Sequence, residues 1–217
     1  MKRFMMLIAV AMMAAALALA GCSAGPSPSD VTKGALDALK AQDMEALQSY
    51  NVGNVGETQV GSVMGRLGVE SGDELTDAQK AQREKLLAVF TDFDYVLGEE
   101  KIDGDKATVE ATITTHDMSR ALGEALTEYL QQAFGMAFSG ASQDDLSILF
   151  GEIFLSKLDP SAEKTHVGIT TFNLTKVDGE WKLDKLSDDN IDCLLGGLTS
   201  ALKDTGNSLN SMANNAK

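Results

Sequence analysis

Cysteine and histidine are scarce in this 217-residue chain, with two of each. A zinc cluster or a disulfide scaffold needs more ligands or more thiols than that. Basic residues are also few: 18 Lys and Arg stand against 32 Asp and Glu, for a formal net charge of −14. Nucleic-acid binding draws most of its affinity from a basic surface, so this balance argues against a DNA or RNA partner. No nucleophile elbow, phosphate-cradling glycine loop or dinucleotide fingerprint occurs, and the glycines crowded between Gly53 and Gly72 fit none of those spacings. The carboxylate pairs Asp144-Asp145 and Asp188-Asp189 lack the loop spacing of a calcium-binding hand and stand where helix N-termini are expected. The reading therefore assigns no metal, no cofactor and no catalytic residue. What is present is ordinary globular composition, 44% hydrophobic and 23% charged.

The first thirty residues carry the clearest signal. Lys2 and Arg3 give a short positive start, and Phe4 to Leu19 is almost wholly apolar. That run is shorter than a membrane span needs, and small residues follow it, as in a secretory signal peptide. Leu19-Ala20-Gly21-Cys22 resembles the lipobox of bacterial lipoproteins, in which the signal is cut before the cysteine and the sulfur carries a diacylglycerol. The resemblance implies a signal peptide over 1–21, lipidation at Cys22, and a location on the extracytoplasmic face of a bacterial cell membrane. Ser23 to Ser29, with Pro26 and Pro28 among small residues, reads as a flexible tether completing residues 22–29. Loss of residues 1–21 removes two positive charges, so 16 basic residues would face 32 acidic ones in the mature chain, for −16. Anionic headgroups repel such a body, and the lipid must do the holding. With Cys22 consumed, Cys193 has no partner, and its place beside Leu194 suits a small apolar residue on a helix face.

Downstream, apolar spacing alternates between periods of about 3.6 and 2. Asp30 and Asp43 are placed to cap two opening helices, the first through Leu36 and Leu39, the second through Leu47 and Tyr50. Val60, Met64 and Leu67 keep helical spacing inside the glycine-rich segment, and Thr76 to Phe90 is again helical. Phe93, Tyr95 and Leu97 then alternate with Asp94, Val96 and Gly98. Asp103-Gly104 is a hairpin signal, and Ala107, Val109, Ala111 and Ile113 form one face of the returning strand. Two helices follow, over Met118–Phe134 and Leu146–Phe154. The second strand pair has Val167 and Ile169 on one parity but Phe172 and Leu174 on the other, which predicts a bulge near Thr170-Thr171. Asp178-Gly179 repeats the hairpin signal, Trp181 and Leu183 face inward, and Ile191 to Leu202 suggests a closing helix interrupted at Gly196-Gly197. Residues 204–217 are polar and read as a frayed tail, leaving a single domain over 30–203.

Helices segregated from two hairpins indicate an α+β fold with an antiparallel sheet of about four strands. The Val31–Tyr50 helix pair, the Ile102-Asp103-Gly104-Asp105-Lys106 turn and the final Val177-Asp178-Gly179-Glu180-Trp181-Lys182 hairpin resemble the nuclear transport factor 2-like (cystatin-like) cone. They are most similar to small bacterial lipoproteins of unknown function built on that fold. The resemblance implies N-terminal helices packed on a curved sheet and a cavity between them. The candidate cavity residues are Tyr95, His116, Asp117 and His166. For Asp117 the placement before Met118 favours a helix cap over acid–base work. Strand parity carried on from Ile113 turns Asp117 inward and His116 outward. The leading functional expectation is a lipid-anchored, non-enzymatic module of the cell envelope that binds a small apolar ligand or a protein partner. An isomerase or dehydratase using an acid or base in the cone, and a structural subunit that dimerises through the sheet, are the alternatives.

Overall fold

A computed structural model describes residues 25–52, 77–138, 140, 142–159 and 161–215. The signal segment, Cys22 and the glycine-rich stretch from Gly53 to Gly72 lie outside the described residues. Helix α1 spans Pro28–Lys40 and α2 spans Met44–Tyr50. After α3 (Asp77–Phe90), strands β1 (Asp94–Asp103) and β2 (Lys106–Thr115) form the first hairpin. Helices α4 (Met118–Phe138) and α5 (Gln143–Lys157) separate it from β3 (His166–Val177) and β4 (Glu180–Leu183). Helices α6 (Asp188–Leu194) and α7 (Leu198–Asn215) close the described chain. The protein is α+β, with an open four-stranded antiparallel sheet in the order β1-β2-β3-β4. Its seven described helices are not all N-terminal: three precede the sheet, two lie between the hairpins and two follow. No helix among the described residues is long and apolar enough to cross a membrane.

The first helix begins earlier than the sequence suggests. Ser27, not Asp30, is the N-cap; its hydroxyl accepts from the Asp30 amide at 3.1 Å while the Asp30 carboxylate accepts from the Ser27 amide at 3.0 Å. This reciprocal capping box, with Pro28 in the first turn, makes the end of the supposed tether part of the helix. Asp43 does cap α2, accepting from the Ala46 amide at 2.9 Å. At the other end of the described residues, α7 continues past Thr205 to Asn215, where the sequence suggests a frayed tail. Thr205 and Ser208 return their hydroxyls to the carbonyls of Ala201 and Asp204, four residues back.

The hairpins differ in their turns. Gly104 alone takes positive φ in the first, whereas Asp178 and Gly179 both do in the second, the pattern of a type I′ turn. Strand β3 pairs with β2 without interruption, from His166 opposite Thr115 to Thr175 opposite Lys106. The bulge expected at Thr170-Thr171 is absent; the irregularity is in β1, between Leu97 and Glu100. The parity conflict resolves because Val167 and Ile169 face outward, 63% and 69% exposed. Gly168 and Thr170 take the inward positions and are covered by α6.

Two hydrophobic cores result. In one, Val31, Ala35 and Leu36 of α1 and Leu47 of α2 pack on Val109, Ile113, Phe172 and Leu174 of the sheet. In the other, Leu86, Phe90, Met118, Leu122, Ile153 and Phe154 join α3, α4 and α5. Helix α6 belongs to both, giving Cys193 and Leu194 to the sheet core and Ile191 to the helical one. Asn190, at 2% exposure, fixes α6 to β3: its Nδ2 donates to Thr170 Oγ1 at 2.7 Å and to the Thr171 carbonyl at 2.9 Å. Its Oδ1 accepts from the Ser187 amide at 2.8 Å. Asn190→Ala leaves those buried groups without their partner and should lower stability by about 2–3 kcal/mol in urea unfolding. A loss below about 0.5 kcal/mol would show that α6 is held by packing alone.

Candidate functional site

Strand β4 is only four residues long and covers Leu174–Val177 of β3. The first half of β3 is therefore a sheet edge, and α6 runs beside it. Between them opens a cleft of about 580 Å³, lined by His166, Gly168, Ile169, Thr170, Thr171 and Asn173 of β3 and by Ser187, Asp189, Asp192 and Cys193 around α6. Its lining is mostly polar and includes two carboxylates and no lysine or arginine. At Gly168 the two elements meet closely. A Cβ built there would lie 2.5 Å from Cys193 Sγ and 3.6 Å from His166 Nε2, so the strand has no room for a side chain at this point.

The groups in the cleft are not equally available. Burial pushes the Cys193 thiol up, and the neighbouring Asp192 charge adds to it, so the sulfur is held as the weakly nucleophilic thiol. Burial raises Asp192, but hydrogen bonds from Thr199 and Ser200 outweigh it and hold the carboxyl below its ordinary value. Those bonds, at 2.6 Å from Thr199 Oγ1 and 2.8 Å from the Ser200 amide, make Asp192 the anchor of the first turn of α7. The turn into α7 passes through Gly196 and Gly197, both at positive φ, and a Cβ on Gly196 would collide with the His116 carbonyl. Asp189 is exposed and has no partner among the described residues, which leaves its carboxylate free to meet a ligand.

Of the four candidate cavity residues, only His166 lines this cleft, beside Cys193 and the Asp189 of the carboxylate pair. Asp117 starts α4: its Oδ1 accepts from the Arg120 amide at 2.9 Å and from Ser119 Oγ at 2.7 Å. Burial opposes its ionisation, but these hydrogen bonds, with His166 and Arg120 nearby, lower its pKa. The strand ends at Thr115, so parity no longer governs the next two residues, and His116 is the buried member of the pair. His116 Nε2 lies 2.8 Å from Asp92 Oδ2. Burial raises the Asp92 carboxyl, yet Lys164 and His116 together hold it low, so it accepts and the imidazole donates. Lys164 Nζ bridges Asp92 at 2.7 Å and Asp94 at 3.0 Å, tying the approach to β3 to the start of β1. Tyr95 is a further tie and not a cavity acid. Its hydroxyl donates to Asp37 of α1 at 2.5 Å, and burial and that carboxylate push its pKa up.

The exposed apolar side chains of the two helices between the hairpins lie away from the cleft. Ile153 and Phe154 are buried in the helical core, while Leu130, Phe134 and Phe138 are exposed along α4. The cleft itself was missed by sequence reasoning. Two signals for it were present: a lone glycine inside a strand pattern, and a return strand ended after four residues by Asp184 and the Ser187 cap. Among the described residues, no three His, Cys, Asp or Glu side chains cluster so as to hold a metal ion.

The fold and cleft describe an open-sheet α+β protein with a polar edge groove. No protein-family model and no curated protein matches the chain. Among solved structures, the crystal structure of a "putative lipoprotein" (YcdA) from Bacillus subtilis is similar, at 17% identity and a TM-score of 0.41. The match covers 77% of this chain and 57% of that one, so the chain spans little more than half of that protein's length.

Two outcomes follow from this geometry. Gly168→Ala should destabilise by about 1–3 kcal/mol, because the new methyl meets a packed sulfur. Combined with Cys193→Ala it should cost less than the two changes added, in denaturant unfolding of a double-mutant cycle. Strict additivity would mean that the strand and the thiol do not press on each other. The second concerns acid. Asp37, Asp92 and Asp94 all have carboxyls held below the ordinary 3.8, Asp37 and Asp94 first of all by Lys33 and Lys164. Depressed pKa values contribute stability that is complete above the ordinary range and is lost as pH falls through the folded values. Thermal midpoints should therefore fall below about pH 4, and Lys164→Met should flatten that decline while costing under about 1 kcal/mol at neutral pH, since the pairs are solvated. An unchanged acid limb in Lys164→Met would exclude the Asp92-Lys164-Asp94 bridge as its source.

Proposed function

We propose that the protein is a lipid-anchored, extracytoplasmic and non-enzymatic binding module of the bacterial cell envelope, built on a nuclear transport factor 2-like cone. The observation that carries the reading is the sequence Leu19-Ala20-Gly21-Cys22 at the end of an apolar run, five residues before the Ser27 cap of α1. Five residues reach at most about 18 Å, so a lipid on Cys22 would keep α1 close to the bilayer surface. The mature charge of −16 supports the anchor, because a body this acidic has no electrostatic hold on anionic lipid.

The environments of the candidate acids and bases support a binding role over catalysis. Tyr95, His116 and Asp117 are each engaged in a structural hydrogen bond, and Cys193 is a buried thiol. An isomerase or dehydratase would need two such groups poised in a common cavity. Of Tyr95, His116, Asp117 and His166 only His166 lines the cleft, and its neighbours there are an exposed Asp189, an Asp192 held by Thr199 and Ser200, and the buried Cys193 thiol. The ligand is better sought among polar partners than among small apolar molecules. The inner face of the sheet is filled by Phe93, Val109, Ile113, Phe172 and Leu174, and the cleft beside it is polar. Cys22→Ser should move the protein from the membrane fraction to the soluble extracytoplasmic fraction and abolish labelling by radioactive palmitate. Continued membrane attachment of the unlabelled variant would remove the reading.

A further inference from the structure

The backbone of β3 alternates between two neighbours. The Lys176 amide donates toward β2, to Asp105 O, at 2.9 Å. The carbonyls of Thr171 and Asn173 point the other way, accepting from Asn190 Nδ2 at 2.9 Å and from the Asp184 amide at 2.8 Å. Odd-numbered residues of β3 thus turn both backbone groups away from β2. By that alternation Ile169, which lines the cleft, and Val167 beside it present N–H and C=O along the open edge of β3, and nothing among the described residues pairs with them. Most sheet edges are blunted by charge, proline or a covering element. Here Asn190 and Asp184 close one end, and the rungs at Val167 and Ile169 stay open.

We infer that this edge takes up an extended peptide by strand addition, with cationic side chains at alternate positions. The inference rests on the binding-module reading above and is independent of the lipid anchor. An added strand would place its residues opposite Gly168 and Thr170 on the inner side, toward α6. That wall carries the exposed, unpartnered Asp189, with the negative charge of Asp192 behind it although that carboxylate is bonded to Thr199 and Ser200, and the cleft contains no lysine or arginine to offset them. Residues of the other parity would lie on the outer face beside the exposed side chains of Val167 and Ile169. Lysine or arginine inward and a β-branched residue outward is the alternation that fits. The guest's main chain supplies affinity, and the charge pattern supplies choice. A second copy of this chain fits less well, because edge-to-edge pairing would bring two sets of Asp189 and Asp192 together.

The test uses the full chain in neutral detergent and a fluorescent hexapeptide alternating lysine and valine, read by anisotropy. Saturable binding is expected, weakened by about tenfold or more when glutamate replaces lysine in the peptide. N-methylation of the edge-facing amides of the peptide should abolish it. Ile169→Pro removes only an N–H that the sheet does not use, and should weaken binding by at least about tenfold with little change in thermal midpoint. Asp189→Lys should reverse the preference toward the glutamate peptide. The peptide arms with the wild-type chain decide the matter even if Ile169→Pro does not fold. No saturable binding, binding indifferent to N-methylation, or a self-association that Ile169→Pro abolishes would each overturn the proposal. Those failures leave the palmitate labelling of the wild-type chain and the release of Cys22→Ser unaffected, so the two readings fall separately.

Discussion

The position of one seven-residue helix governs the rest of this molecule, and a buried amide governs the helix. Alone, α6 is too short to be stable, since the first turn of a helix costs more than it returns. It persists because Ser187 and Asn190 satisfy each other across its first turn and Asn190 spends both amide protons on β3. Once fixed there, α6 sends Cys193 and Leu194 into one core and Ile191 into the other. The sheet with α1 and α2, and the helical group of α3, α4 and α5, share it as a common wall. A buried polar group is costly unless every donor and acceptor is met, so a fully bonded asparagine in this position permits one docking geometry and penalises its neighbours.

Electrostatics follows the same economy. With few cations in an acidic chain, the lysines that matter are those that join separate segments. Lys164 spans Asp92 and Asp94, and Lys40 lies over the rings of Phe93 and Tyr95 while reaching Asp94 at 3.5 Å. Tyr95 then reaches Asp37, which Lys33 also holds. These links run from α1 across the start of β1 to the approach of β3 and to buried His116. None is strong alone, since the pairs are partly solvated. Together they fix the angle between α1 and the sheet at the end remote from the Ser27 cap.

Much of this fold was legible in the sequence where local chemistry decides. The two Asp-Gly turns, the alternation of Ala107 to Ile113 and the capping of α2 by Asp43 are local rules, and they hold. The failures share a cause. Asp30 misled because a carboxylate three residues past the true cap looks like a cap when the serine before it is assigned to a tether. The bulge at Thr170-Thr171 was inferred from two apolar residues on the wrong parity, yet the inward positions are filled by a cysteine and an asparagine from α6, some twenty residues away in sequence. For the site, His166 was legible as a polar residue in a strand. Its surroundings were not, since they depend on how far β4 runs and on which face of α6 meets Gly168.

That dependence explains why the cleft lies where it does. A longer β4 would have paired with β3 along its whole length and left no edge. A larger residue at 168 would have pushed α6 outward and opened its packing against the sheet. Instead Asp184 leaves the strand after donating to Asn173, and Ser187 starts a helix at once, so the chain crosses to the inner face within three residues. The backbone groups of Val167 and Ile169 are exposed by that departure, not by any local preference of their own. The outward valine and isoleucine, which look misplaced when the strand is read alone, are the residues beside which a further strand would lie. The open edge of β3 and its position beside the acidic face of α6 are thus two results of one event, the early turn of the chain at Asp184.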